Sequence, residues 1–143
     1  SVKSSSNLKA IKCPTKYNSS AIDEFLIIFL VAARSKGVSF FNNLSELNQK
    51  ESPRLIWASK ILKFMGIRNE ITRSSIKIYG NPYIKINKKI TIKNFLKDHR
   101  VFMMACIAAL TFGGNFKIND KDSIKTSFPN FIEILKKLGA KIK

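Results

Sequence analysis

Apolar and polar positions along the chain sort into four helical stretches that close in the same manner. DEFLIIFLVAARSKG runs into VSFFNN, SPRLIWASKILKFMG into IRNEIT, DHRVFMMACIAALTFGG into NFKIND, and SFPNFIEILKKLG into AKIK. In each, an apolar pattern of helical spacing meets a glycine and then a short β-branched or aromatic segment. Glycine after the last turn supplies the left-handed residue that stops a helix, and lysine or arginine in that turn suits its negative pole. Between the second and third stretches, SIKIYGN and YIKINKKITIK alternate apolar and polar residues at period two around Gly80-Asn81-Pro82. That alternation predicts two half-exposed strands joined as a hairpin. The predicted order is β-α-β-α-β-β-β-α-β-α-β. It fits sheets covered by helices on one face, an α/β or α+β architecture with internally repeated units.

The 143 residues suffice for one domain, or a large piece of one, with a real core. The opening SVKSSSNLKAIK begins with serine and has neither an apolar signal core nor a cleavage site, so it reads as the middle of something longer. The longest apolar runs, Phe25 to Ala33 and Val101 to Leu110, fall short of the roughly 20 residues that cross a bilayer. They read as buried helices, and no membrane partner is expected. Cys13 and Cys106 lack metal-ligand spacing, so no metal is expected, and free thiols suit a reducing cytoplasm.

The net charge of +17 raises nucleic acid or small anions as partners. The 21 lysines are scattered over nearly every segment without a block of like charges, and arginine-aromatic stripes are missing, which argues against a nucleic-acid module. Only five arginines occur, so each is more informative than any lysine. Ionisable residues gather where helices begin: Asp23 and Glu24 before the first, Lys50, Glu51 and Arg54 at the second, Asp98, His99 and Arg100 at the third. Thr126 to Pro129 open the fourth. Free N–H groups and the dipole at such ends favour anions, and convergent ends would form an anion site. Taken alone, the second cluster has a purely local reading: Ser52 as N-cap, Pro53 as first helical residue, Glu51 complementing the dipole and Lys50 and Arg54 solvated.

AIDEFLIIFLVAARSKGVSFFNNLSELNQKESPRL, DHRVFMMACIAAL and IKTSFPNFIEILKKLGA, in this order and spacing, resemble the C-terminal part of the 3-phosphoshikimate 1-carboxyvinyltransferase (EPSP synthase) family. The likeness extends from about residue 2 to residue 142. It implies transfer of the enolpyruvyl group of phosphoenolpyruvate to the 5-hydroxyl of shikimate 3-phosphate, by addition and elimination, without an organic cofactor. It implies an inside-out α/β barrel type of fold built from βαβαββ units. On that reading residues 1–143 are about two of the three units of the C-terminal domain, and the N-terminal domain is missing. By motif, Asp23 would lie beside the shikimate hydroxyl, Glu51 would be the acid–base group near the phosphoenolpyruvate methylene, and Arg54 and Arg100 would clamp phosphoenolpyruvate. Lys50, within the same KES motif, would be a further cationic contact.

Two substrates that carry phosphates and a carboxylate need fixed cations to meet in one pocket, and arginine offers a planar fork that lysine lacks. A carboxyl among those cations can move a proton if burial or geometry offsets their acidifying effect. His99 either touches substrate or orients neighbouring backbone. Met103, Met104 and Trp57 read as core. Two departures from the family pattern stand out. Pro53 occupies a position where aspartate is usual, which puts the orientation of Arg54 in question, and Thr126 stands at the register of a substrate lysine, with Lys125 one place earlier. A non-catalytic relic that keeps the fold, and a relative that transfers enolpyruvyl to a UDP-sugar, remain the competing readings.

Overall fold

The computed structural model describes residues 7–142. Two crossovers of the same kind organise it. In the first, residues 8–13 run parallel to the strand β1 (Gly37–Phe41), through bridges Lys9 to Lys36 and Lys12 to Phe40, with helix α1 (Phe25–Arg34) between them. In the second, β4 (Lys89–Ile92) pairs in parallel with β5 (Asn115–Ile118), and helix α3 (His99–Phe112) connects them. Parallel neighbours demand such a connection, because a tight turn only reverses the chain.

After β1 the chain makes a 3-10 turn at Ser45–Gln49, then helix α2 (Arg54–Phe64), then β2 (Asn69–Ile71) and β3 (Ile76–Gly80). These strands form an antiparallel sheet in the order β1-β3-β2. Their alternation is as expected, with Ile76 and Ile78 buried and Lys77 exposed. A last short helix, α4 (Phe131–Lys137), follows β5. The architecture is mixed α/β.

Helices α1 and α2 lie against the first sheet, α3 against β5, and the three helices pack on one another, so a single core joins both sheets. Phe25, Phe29 and Phe41 form its aromatic centre, with ring centroids 5.1 to 6.1 Å apart. Trp57 and Met104 are buried and Met103 is half-buried against the core, as their spacing suggested.

Three expectations fail. The two strands around Gly80-Asn81-Pro82 do not form a hairpin: β3 pairs with β1 and β2, whereas β4 belongs to the other sheet. Alternation reports a half-buried face but not the partner, and here residues 81–88 carry the chain from one sheet to the other. Second, no strand follows α4 among the described residues. Third, α4 begins at Phe131 rather than at Thr126 to Pro129, which form the turn before it.

The glycine stop holds at α2, α3 and α4, whereas α1 ends on Ser35 in an extended conformation and Gly37 already opens β1. At the end of α2, Gly66 has φ +80°, its N–H reaches the Lys63 carbonyl at 2.9 Å, and the Ile67 N–H reaches Leu62 at 2.8 Å. This is the Schellman closure, sealed by buried Leu62 and Ile67.

Candidate active site

The starts of α1, α2 and α3 meet at one place, and Arg54 is the residue that shows it. As the first residue of α2 it is only 2% exposed, and each part of its guanidinium faces a carboxylate from a different segment. Nε donates to Asp98 Oδ2 at 2.9 Å, from the start of α3. Nη1 donates to Asp23 Oδ1 at 3.1 Å, from the start of α1, and Nη2 donates to Glu51, just before α2. Arg100 adds a second guanidinium: Nη1 donates to the Asp23 carbonyl at 2.7 Å, Nη2 lies 3.3 Å from Asp23 Oδ2, and Glu24 is 3.7 Å away. Asp23, Glu51, Arg54 and Arg100, separated by up to 77 positions, therefore share one cluster.

Burial divides this cluster into two layers. Asp98 is fully buried, whereas the side chains of Asp23 and Glu51 are 46% and 53% exposed. Asp98 Oδ1 caps α3, accepting from the Arg100 N–H at 2.9 Å and from the Val101 N–H at 3.4 Å. Its Oδ2 takes Arg54 Nε and the Ser52 hydroxyl, the latter at 2.9 Å. Burial by itself would raise the Asp98 carboxyl, but the Arg54 hydrogen bond and charge, the Ser52 hydroxyl and the Arg100 amide outweigh it and hold the group below its ordinary range. Asp98 therefore stays ionised among cations.

The loop that delivers Asp98 is strained. Asn94, Leu96 and Lys97 have φ of +62°, +55° and +55°, a region that side-chain-bearing residues rarely adopt. Phe95, buried between them, packs edge-on against Trp57 of α2 with centroids 6.1 Å apart. This contact keeps the start of α3 close to the start of α2.

The remaining candidates lie outside the carboxylate–guanidinium network. Lys50 pairs with Glu46 at 2.7 Å, Lys125 with Asp122 at 2.9 Å, and the half-buried His99 side chain makes no hydrogen bond or ion pair among the described residues. Two surface hollows, one beside Lys63, Lys88 and Lys89 and one beside Arg34, Lys85 and Gly114, share no residue with the cluster. Ser52 is not the cap of α2: Pro53 holds that position and the helix starts at Arg54, because the Ser52 hydroxyl is turned to Asp98. Asp98 and Ser52 escaped sequence reasoning as site residues, since each has a sufficient local explanation as a helix cap.

The sequence profile of the EPSP synthase (3-phosphoshikimate 1-carboxyvinyltransferase) family matches residues 4–135. The chain belongs to that family. It is 38% identical over 138 residues to the 3-phosphoshikimate 1-carboxyvinyltransferase of Ruthia magnifica subsp. Calyptogena magnifica, covering 96% of this chain and 31% of that protein. Against the counterpart from Zymomonas mobilis identity is also 38%, over 94% of this chain and 30% of the relative. The solved structure of EPSP synthase from Acinetobacter baumannii superposes with a TM-score of 0.85 at 32% identity, over 96% of this chain and 32% of that one. The enolpyruvyl transferase NikO from Streptomyces tendae, at 17% identity and a TM-score of 0.68, shares the fold alone. The chain thus spans about a third of the length of the EPSP synthases it matches.

Proposed function

We propose that this chain is part of a 3-phosphoshikimate 1-carboxyvinyltransferase, which joins the enolpyruvyl group of phosphoenolpyruvate to the 5-hydroxyl of shikimate 3-phosphate and releases phosphate. The observation that carries the reading is the convergence of Asp23, Glu51, Arg54 and Arg100 at three helix starts. In the reaction Arg54 and Arg100 bind the carboxylate and phosphate of phosphoenolpyruvate, since their planar N–H edges and the helix N-termini favour such oxyanions. Glu51 delivers a proton to the methylene carbon while the shikimate hydroxyl attacks the neighbouring carbon and gives its proton to Asp23. Elimination then returns a methyl proton to Glu51, restores the double bond and expels phosphate, which takes up the proton held by Asp23. Lys50 and His99 are further contacts at the rim, and Lys125 enters only by leaving Asp122.

On this reading the chain supplies about two of the three βαβαββ units of a C-terminal domain, and the rest of the protein supplies the opposite wall of the cleft. Helix α1 supports it: nine of its ten residues are apolar, yet Ile27 and Val31 are exposed, and a helix that is apolar all round is normally covered. With the opposing wall missing, the isolated chain has no turnover, because positioning and closure are shared between the two parts.

The test is complementation. The chain is mixed with a separately expressed remainder of a family member, and phosphate release from phosphoenolpyruvate plus shikimate 3-phosphate is followed. Turnover that appears on mixing and disappears with Glu51→Gln supports the enzyme reading. A stable complex without turnover supports the competing reading of a non-catalytic relic, for which the proline at position 53 speaks.

A further inference from the structure

We propose that Asp98 is a positioning residue of this site: its Oδ2 holds Arg54 by Nε, so that Asp23 and Glu51 on the other two nitrogens can yield to an anionic ligand without the guanidinium turning. The proposal rests on the ligand reading given above and adds to it a residue and a division of labour. Three facts carry it. Arg54 is almost wholly buried, and of its three carboxylates only Asp98 is buried with it. The other two are about half exposed, so water and ligand reach them first. Lastly, the loop before Asp98 is kept in a left-handed conformation at three non-glycine positions, with Phe95 locked against Trp57, which aims Asp98 at α2.

The two oxygens of Asp98 have separate duties. Oδ1 satisfies the first amides of α3, and Oδ2 satisfies Arg54 and Ser52. The arrangement also explains how Arg54 keeps its direction beside Pro53. Its brace comes from the α3 side and owes nothing to residue 53. Before a ligand arrives, Asp23 and Glu51 occupy the N–H groups that it would use, and on binding they are released as free carboxylates next to it.

Asp98→Asn separates the duties, since an amide can keep the oxygen that caps α3 but places an N–H₂ against Arg54 Nε. The experiment uses the 15N-labelled chain mixed with the separately expressed remainder of a family member, which supplies the opposite wall, and follows the arginine side-chain resonances, with Arg54→Lys to assign the Arg54 signal. In the wild type the Arg54 Nε–H exchanges slowly, and in Asp98→Asn it exchanges at least about tenfold faster while the α3 amides stay protected. Phosphoenolpyruvate titrated into the wild type shifts the Arg54 Nη signals and leaves Nε in place, and Asp98→Asn binds it about tenfold more weakly. Equal Nε–H exchange in the two proteins, or an Nε signal that moves together with Nη on titration, overturns the proposal. The second criterion needs only the wild type and stands even if the variant does not fold. A protected Nε–H that depends on Asp98, with no response of Arg54 or Arg100 to phosphoenolpyruvate, leaves the brace intact and removes the ligand reading.

Discussion

Helices α1 and α3 run side by side, and arginine holds the pair at both ends, but the two ends differ in chemistry. At the starts, Arg54 and Arg100 meet four carboxylates, three of them open to water. At the ends, Arg34 of α1 donates to the carbonyls of Pro82 and Ile84 at 3.0 Å each, and to Thr111 in the last turn of α3, with Phe112 beneath its guanidinium at 4.6 Å. The second arrangement is a fastener. It satisfies one carbonyl at a helix terminus that has no basic residue of its own, and through the other two it ties the link between the sheets to both helices. A guanidinium that faces carbonyls has nothing to exchange for a ligand. One that faces exposed carboxylates does, and that difference separates a site from a joint in a chain crowded with cations.

The largest effect is expected from Asp98→Ala, which leaves the buried Arg54 short of its buried partner and uncaps α3, at a cost of about 3 kcal/mol in urea unfolding. Arg34→Ala should cost about 2 kcal/mol, because the abandoned carbonyls are near enough to the surface to find water. If Arg34→Ala proved the more damaging, the buried brace would not be the stronger of the two.

Acid should separate the ends further. The folded Asp98 carboxyl lies below its ordinary value of 3.8, so its contribution to stability is complete above that value and fades as pH falls through the folded one. Urea midpoints measured downward from neutral pH should show this loss in the wild type and in Arg34→Ala alike, and less of it in Asp98→Asn. The smallest effect concerns Cys106, between the two ends on α3, whose thiol burial pushes up to about 12. Iodoacetamide at pH 8 should modify the half-buried Cys13 first and Cys106 only when α3 opens. Early labelling of Cys106 would mean that the helix joining site and fastener is not held at both ends.

Much of this was legible in the residue pattern. Apolar periodicity located α1, α2 and α3, glycine stops marked the ends of α2 and α3, and the sparse arginines and carboxylates at the helix starts pointed to one cluster. Pairing was less accessible. The alternation of SIKIYGN and YIKINKKITIK marks faces, and only the tertiary path of residues 81–88 decides that β3 and β4 join different sheets. Ser52 and Asp98 were hidden for a related reason. A serine before proline and an aspartate before a helix each satisfy a local rule, so nothing local announces that their second oxygen partners lie across the core.

On the proposed reading the arginines at the helix starts, and not those elsewhere, receive the anion. The decisive experiment titrates phosphoenolpyruvate into the labelled chain mixed with the remainder of a family member. Saturable shifts are expected at Arg54, Arg100 and the amides of residues 51, 52, 54, 55 and 98–101, with Arg34 and the lysine-lined hollow near Lys88 unmoved. Saturable shifts centred on Arg34 or on that hollow, with the helix starts silent, would contradict that reading.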